Sequence, residues 1–366
     1  MAGRVPLARR NLLADWRRLL ASVVGVGLAL MLILLLDGIW VGINRQLTAY
    51  EDHAGAALYV VQPGTRSFFA DACVIPISTR ETVTATPGVD WTAIARPQFT
   101  ILELHGRKVP VALVGYEPGS PGGPWAFRGG REPRAGELAL DANVADRHDV
   151  GVGDEVTVLG EPLRVSGLTT GTSTFMVGYA FTDHDTLARL LRAEGSTGYI
   201  LVGTRDPGAV RNRLEAQGLT VLSKEEIADN GRRLIARVYG PPIRLMAGVG
   251  LAVGALVVAL TVYASVVDHR REYGIVRAVG ARTADLVGLA TRQTAYLAGA
   301  GLGAGLVLFV AARALIAAWR PEFAIVLTPA ALTRAALAAS AMSLVAAVVP
   351  ALRLARLDPA IAYRGA

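Results

Sequence analysis

The chain has 366 residues, of which 52% are apolar and 18% charged, against about 25% charged in ordinary soluble domains; its formal charge is +7. This composition excludes a disordered chain, and a mean hydropathy of +0.40 demands an apolar solvent for part of it. The single cysteine, Cys73, excludes an internal disulfide framework and any multi-thiolate metal or iron–sulfur site.

In chain order, residues 1–18 place Leu12, Leu13, Trp16, Leu19 and Leu20 at helical spacing among Arg9, Arg10, Arg17 and Arg18. This pattern suits an amphipathic helix lying on the membrane surface, and equally a cytoplasmic extension of the first span. No charge interrupts Leu19–Leu36, which places a first transmembrane helix at 19–43. It is read as an uncleaved anchor, because its apolar run exceeds the 7–15 residues of a signal peptide.

Residues 44–240 alternate strand-like and helix-like segments. ALYVVQ, FTILEL, VPVALVGYE, DEVTVLG, PLRVSGLTT and GYILVGT are expected strands. STRETVTATPG, DHDTLARLLRAEG, DPGAVRNRLEAQG and SKEEIADNGRRLIARVY are expected helices, with Gly195 and Gly218 stopping the second and third. The Gly/Pro-rich stretch Glu117 to Glu137, carrying Trp125 and Phe127, is either a connection between subdomains or a recognition loop.

Three further charge-free runs follow, Leu245–Val267, Gln293–Ala312 and Ala335–Leu352. They place transmembrane helices at 241–267, 293–313 and 334–352, separated by an inner segment 268–292 and a short outer loop 314–333, with a tail at 353–366. The expected fold is a membrane protein of four transmembrane α-helices (1+3), with a large extracytoplasmic α+β domain between helices 1 and 2.

Orientation follows from arginine placement. Arg4, Arg9, Arg10, Arg17 and Arg18 precede the first span, Arg270, Arg271, Arg277, Arg282 and Arg292 lie between the second and third, and Arg353, Arg356 and Arg364 are in the tail. Both termini are therefore expected in the cytoplasm of a multi-pass cell-membrane protein. Residues 44–240 carry a net −3 and the remainder +10, so the basic balance belongs to the membrane flanks. A nucleic-acid partner is not expected, since the soluble block is slightly acidic and lacks a basic stripe.

Small residues four apart, Gly250 with Gly254, Gly299 with Gly303 and Gly301 with Gly305, predict close helix packing in a bundle or dimer. Apart from Asp37, at the outer edge of the first span, no acidic residue falls within the expected spans and their arginines sit only at the ends, which disfavours a proton-coupled pump. No G-x-x-x-x-G-K-[ST], H-E-x-x-H, C-x-x-C or G-x-S-x-G occurs, so no catalytic residue, cofactor site or metal site is assigned. Asp183-His184-Asp185 is better placed to cap a helix than to hold a metal, Ser173 in GTSTF lacks the flanking glycines of a nucleophile elbow, and Cys73 is expected as a small buried hydrophobe.

Two segments carry a family resemblance. DHRREYGIVRAVGARTADLVGL follows the second span, and VVPALRLARLDPAIAYRGA ends the chain. With the order of one span, a large domain and three spans, they resemble the FtsX-like permeases of ABC transporters, the MacB-like or type VII group. Glu272, Gly274, Arg277, Ala278, Gly280 and Ala281 match that family's inner segment, with Tyr273 where isoleucine is usual. Pro350, Ala351, Arg353, Ala355, Leu357, Asp358 and Pro359 match its tail, with Ile361 replacing an expected glutamate. Residues Gly136 to Thr170 are similar to part of the family's periplasmic core domain, with Gly153, Asp154 and Val156 at its turn.

The resemblance implies a permease subunit that transmits the motion of a separate ATPase to an extracytoplasmic domain, for export or extraction of a substrate. It implies that 268–292 docks the ATPase through Arg270, Arg271, Glu272, Gly274, Ile275, Val276, Arg277, Val279 and Gly280. The apolar Ile275, Val276 and Val279 among arginines suit a helix laid in a partner's groove. It further implies a homodimer, or a heterodimer with a similar permease, in the lipid bilayer, with ATP and Mg²⁺ bound by the ATPase alone. An extracytoplasmic adaptor or substrate protein is a further partner it leaves open. The alternatives are an FtsX-type regulator of a cell-wall hydrolase, disfavoured by the size of the outer domain, and a membrane-anchored receptor or scaffold without an ATPase.

Overall fold

The computed structural model describes residues 16–68, 71–174, 177–268, 283–320 and 323–355. Its helices and strands run in chain order as α1 (Trp16–Leu47), α2 (Ala49–His53), β1 (Leu58–Val61), β2 (Ile75–Pro76), α3 (Thr79–Thr84), β3 (Trp91–Leu104), β4 (Arg107–Tyr116), β5 (Phe127–Gly130) and β6 (Glu137–Asp141). They continue as α4 (Ala142–Arg147), β7 (Glu155–Val158), β8 (Glu161–Thr169), β9 (Gly178–Asp183), α5 (His184–Leu190), β10 (Ser196–Thr197), β11 (Tyr199–Gly203), α6 (Pro207–Ala216) and β12 (Thr220–Ser223). Three long helices end the described part, α7 (Lys224–Asp268), α8 (Thr283–Trp319) and α9 (Pro329–Ala355). The chain divides into a helical unit, 1–41 with 239–320 and 325–366, and a sheet unit, 42–238 with 321–324.

In the sheet unit a ten-stranded sheet has the order β12-β1-β11-β3-β4-β9-β6-β8-β5, with β7 pairing β3 and β8. Most pairs are antiparallel; β4 with β9 and β6 with β8 are parallel. The six segments expected as strands are strands. β9 was not among the expected strands, because GYAFTD lies in the middle of the sheet, buried throughout, and shows no polar alternation. FTILEL is the second half of a 14-residue strand.

Two cores lie within this unit. One gathers aromatic side chains, among them Tyr50, Tyr59, Phe68, Tyr116, Tyr179, Phe181 and Tyr199. The other is aliphatic, built from Leu102, Leu104, Val111, Leu113, Leu138, Leu140, Val156, Leu163 and their neighbours.

Helix boundaries follow local chemistry. Asp141, Asp183 and Asp206 cap α4, α5 and α6 by accepting backbone N–H bonds. Ser223 and Glu226 form a reciprocal capping box at the start of α7, at 3.2 and 2.8 Å. Gly218, at φ +82°, follows the end of α6, as expected. Gly195 does not end α5: that helix stops at Leu190, and Arg192 takes the left-handed turn at φ 51° while the amide of Ala193 reaches back to Ala188 O. Pro241 and Pro242 lie inside α7, which continues through them although each removes an N–H donor.

The helical unit packs around Val26, Leu30, Val258, Val262, Leu297, Met342 and Ala346, with a second cluster at Leu34, Phe309, Ile325, Ala331 and Ala335. Among the described residues, four helices are long and apolar enough to cross a membrane. Outward-facing Leu245, Val307 and Leu337 are each about 70% exposed, as lipid-facing side chains are.

Candidate functional site

The predicted docking residues Arg270, Arg271, Glu272, Gly274, Ile275, Val276, Arg277, Val279 and Gly280 lie outside the described residues, as does the tail from Arg356 onward. The structure speaks instead to the bundle they flank and to the sheet unit.

In the bundle, glycines let α1 approach its neighbours. A Cβ at Gly254 would lie 2.7 Å from Met342 Cε and 3.0 Å from Ala29 Cβ, and one at Gly250 would lie 3.4 Å from Leu32 Cδ2. On α8, a Cβ at Gly301 would fall 2.4 Å from Val26 Cγ1 and one at Gly305 3.0 Å from Gly27 O. Gly299 and Gly303 meet nothing within 4 Å, so this face of α8 is not covered by the chain's own described residues. The difference is one of helical phase: 301 and 305 share a face, and 299 and 303 share another.

Sequence reading missed a further pair in the first span. Gly38 and Gly42 are four apart, the same spacing noted in the other spans. A Cβ on Gly38 would lie 3.0 Å from Ile325 Cγ2, and Val326 donates its N–H to Gly38 O at 3.2 Å. Within the sheet unit, Gly42 sits against the Ala324 carbonyl so closely that a Cβ would overlap it.

Polar side chains join the helices in pairs. The hydroxyls of Ser22 and Thr261 lie 2.6 Å apart between α1 and α7, and Ser343 of α9 donates to Thr294 of α8 at 3.0 Å. Arg334 of α9 holds Asp37 of α1 through two bonds of 2.8 Å.

In the sheet unit the residues singled out for chemistry are tied into structure. Asp141 is fully buried; its carboxylate caps α4 and accepts the hydroxyls of Thr172 at 2.7 Å and Ser173 at 2.8 Å. Ser173 also accepts the Asn143 amide at 3.0 Å, so its oxygen is engaged by an acid and an amide. Asp183 caps α5 through Thr186 N at 2.9 Å. Among the described residues no three His, Cys, Asp or Glu side chains are placed to hold a metal ion. Cys73 is buried and accepts the amide of Gln62 at 3.2 Å, and burial pushes its thiol up.

The stretch 117–137 connects strands and lies on the domain. Trp125 stacks on His53 at 4.5 Å and meets Tyr179 and Phe181 edge-on. Phe127 opens β5 against β8, and Arg128 and Arg131 form paired bonds of 2.6 Å with Asp146 and Glu137. The expected Gly-Asp turn is present: Gly153 takes φ +104° and Asp154 accepts Gly151 N at 2.7 Å.

Four apolar helices and a mixed α+β sheet domain together define a membrane protein with an extracellular domain. Residues 19–217 match the MacB-like periplasmic core domain and residues 244–359 the FtsX-like permease C-terminal family, and the chain belongs to this MacB/FtsX-type family of ABC transporter permeases. Proteins named as uncharacterized ABC transporter permeases in Mycobacterium bovis and Mycobacterium tuberculosis are 25% identical over 353 residues, covering 95% of this chain and 96% of theirs. Among solved structures, the periplasmic region of MacB from Actinobacillus actinomycetemcomitans aligns with a TM-score of 0.38 at 12% identity, over 48% of this chain and 92% of that one. The extracellular domain of the ABC-type transporter YknZ from Gram-positive bacteria aligns with a TM-score of 0.36 at 12% identity, over 46% of this chain and 100% of that one. Membership makes this chain the permease component and implies a partner ATPase.

Proposed function

We propose that this chain is the membrane subunit through which ATP-driven motion of a separate ATPase reaches the sheet unit, for export or extraction of a substrate. The observation that carries the reading is the family match across both halves of the chain, with the docking motif Glu272, Gly274, Arg277 and Gly280 inside the part matched to the permease C-terminal family. The ATPase docks on 268–292, where the sequence sets Ile275, Val276 and Val279 among Arg270, Arg271 and Arg277. ATP and Mg²⁺ are bound by that partner.

Two further features support it. α7 is one helix of 45 residues, and in sequence it ends where the docking segment begins. The uncovered glycines Gly299 and Gly303 suit packing against a second permease, the same chain or a similar one, within the bilayer. The arginines of both termini and of 268–292 support a cytoplasmic location for these segments, with 44–240 outside.

The test is co-purification of the full chain with an ATPase subunit encoded beside it, before and after replacing 270–281 by a Gly/Ser linker and in Glu272→Ala/Arg277→Ala. Loss of the complex with membrane insertion retained supports docking there; an intact complex after the replacement refutes it. The regulator alternative is distinguished by reconstitution: ATP-dependent release of a substrate in the absence of any hydrolase belongs to the export reading alone.

A further inference from the structure

The sheet unit buries the Glu51 carboxyl without a matched cation. Glu51, on the short helix α2, is 4% exposed, and its Oε2 has no hydrogen-bond partner among the described residues. The Tyr59 hydroxyl, on β1 and wholly buried, is in the same condition. The cations nearby are committed elsewhere: Lys224 Nζ pairs with Asp52 at 2.9 Å and Arg232 with Asp229 at 2.7 Å. A buried ionised carboxylate in that position is unfavourable, whereas the protonated acid is an acceptable core group.

The surroundings fix where this matters. α2 follows α1 after the single residue Thr48, and Tyr50 seats it by stacking on Phe68 at 4.2 Å and donating to Gly122 O at 2.8 Å. The base of α7 lies against the same region, with Lys224 N bonded to Ala57 O at 3.2 Å. The groups whose charge Glu51 feels are Asp52 on its own helix and Lys224 and Arg232 on α7; Tyr50, Tyr59, Tyr179 and Tyr199 feel Glu51 in turn, and Glu225 acts on Tyr59. His53 closes α2 and stacks on Trp125.

We propose that Glu51 is a proton-operated latch: protonated, it lets α2 stay seated against β1 and the base of α7, and ionised, it loosens that seating. Burial pushes the Glu51 carboxyl up to about 7, its own backbone N–H draws it down, Asp52 raises it, and Arg232 and Lys224 lower it. The open carboxyl has its ordinary value of about 4.5, so the seating is complete below that pH, weakens as pH rises and levels off above about 7. This goes beyond the permease reading and needs no ATPase, substrate or membrane orientation.

The test is hydrogen exchange of the full chain in lipid nanodiscs, following peptides that cover 48–61 and 224–232, corrected for intrinsic rates, between about pH 4.5 and 8.5. Wild type should lose protection by about tenfold or more between about pH 4.5 and 7 and little beyond, since each pKa unit between the buried and open states is worth a factor of ten. Glu51→Gln should hold its acid-side protection at every pH, and His53→Gln should behave as wild type. Arg232→Gln should move the transition to higher pH, a shift that a purely structural role for the arginine would not produce. Protection independent of pH in the wild type, a transition that survives Glu51→Gln or disappears in His53→Gln, or an unmoved transition in Arg232→Gln overturns the proposal. If Glu51→Gln does not fold, the Arg232 and His53 variants decide it.

Discussion

Arg334 closes on Asp37 with two parallel bonds, Nε to Oδ1 and Nη2 to Oδ2, each 2.8 Å long. The acid singled out in the sequence as the exception within the spans thus has an assigned counter-ion on α9, in the geometry that makes arginine–carboxylate pairs strong. The Asp37 side chain is 18% exposed and that of Arg334 51%, so screening limits the pair. We expect Arg334→Ala and Asp37→Asn each to destabilise the helical unit by about 1 kcal/mol. The double variant should be little worse than either, measured as a double-mutant cycle on unfolding in detergent; fully additive losses would show that the pair contributes nothing.

The two glycine faces of α8 should respond differently. Gly301→Val drives a side chain into Val26 and should destabilise the chain by about 1–3 kcal/mol, the usual penalty for overpacking. Gly299→Val and Gly303→Val enter open space and should leave monomer stability unchanged. In the proposed dimer they should instead reduce crosslinking between copies in the membrane. Equal thermal destabilisation of all three would contradict the assignment of faces.

Asp141 organises the turn after β8. Removing it in Asp141→Ala uncaps α4 and leaves the buried hydroxyls of Thr172 and Ser173 without their acceptor, a loss of about 2–4 kcal/mol. Asp141→Asn, which keeps an acceptor oxygen, should lose less. Tryptophan fluorescence during denaturation reads the sheet unit, where Trp91 and Trp125 pack on the aromatic core.

Acid should act on a different set of groups from those that respond near neutrality. The bond from the Arg131 guanidinium holds the Glu137 carboxyl below the usual range, and that from Arg128 does the same for Asp146. A depressed carboxyl contributes stability above its unfolded pKa, about 4, and that contribution is lost as pH falls through the folded value. Protection at the start of β6 should therefore decline below about pH 4, and less steeply in Arg131→Gln, whose Glu137 keeps only the smaller lowering from the Arg134 amide and charge.

Much of this architecture is legible in residue order because its causes are local. Charge-free runs mark the long helices, since any helix that crosses hydrocarbon must be apolar over its length. Aspartates placed before apolar-periodic segments mark α5 and α6, since a cap acts on amides two or three residues away. β9 was not legible as a strand, because a segment buried on both faces carries no alternation.

Sequence alone determined that the chain is a four-helix membrane permease with a large slightly acidic domain, and that its positive charge sits on the flanks of the spans. Only the tertiary structure decided that Gly301 rather than Gly299 faces Val26, that Arg334 is the partner of Asp37, and that Glu51 is buried beside Tyr59. These depend on which helix face and which sheet face meet across as many as 297 positions. Spacing within one segment specifies a face, and only packing specifies what that face touches.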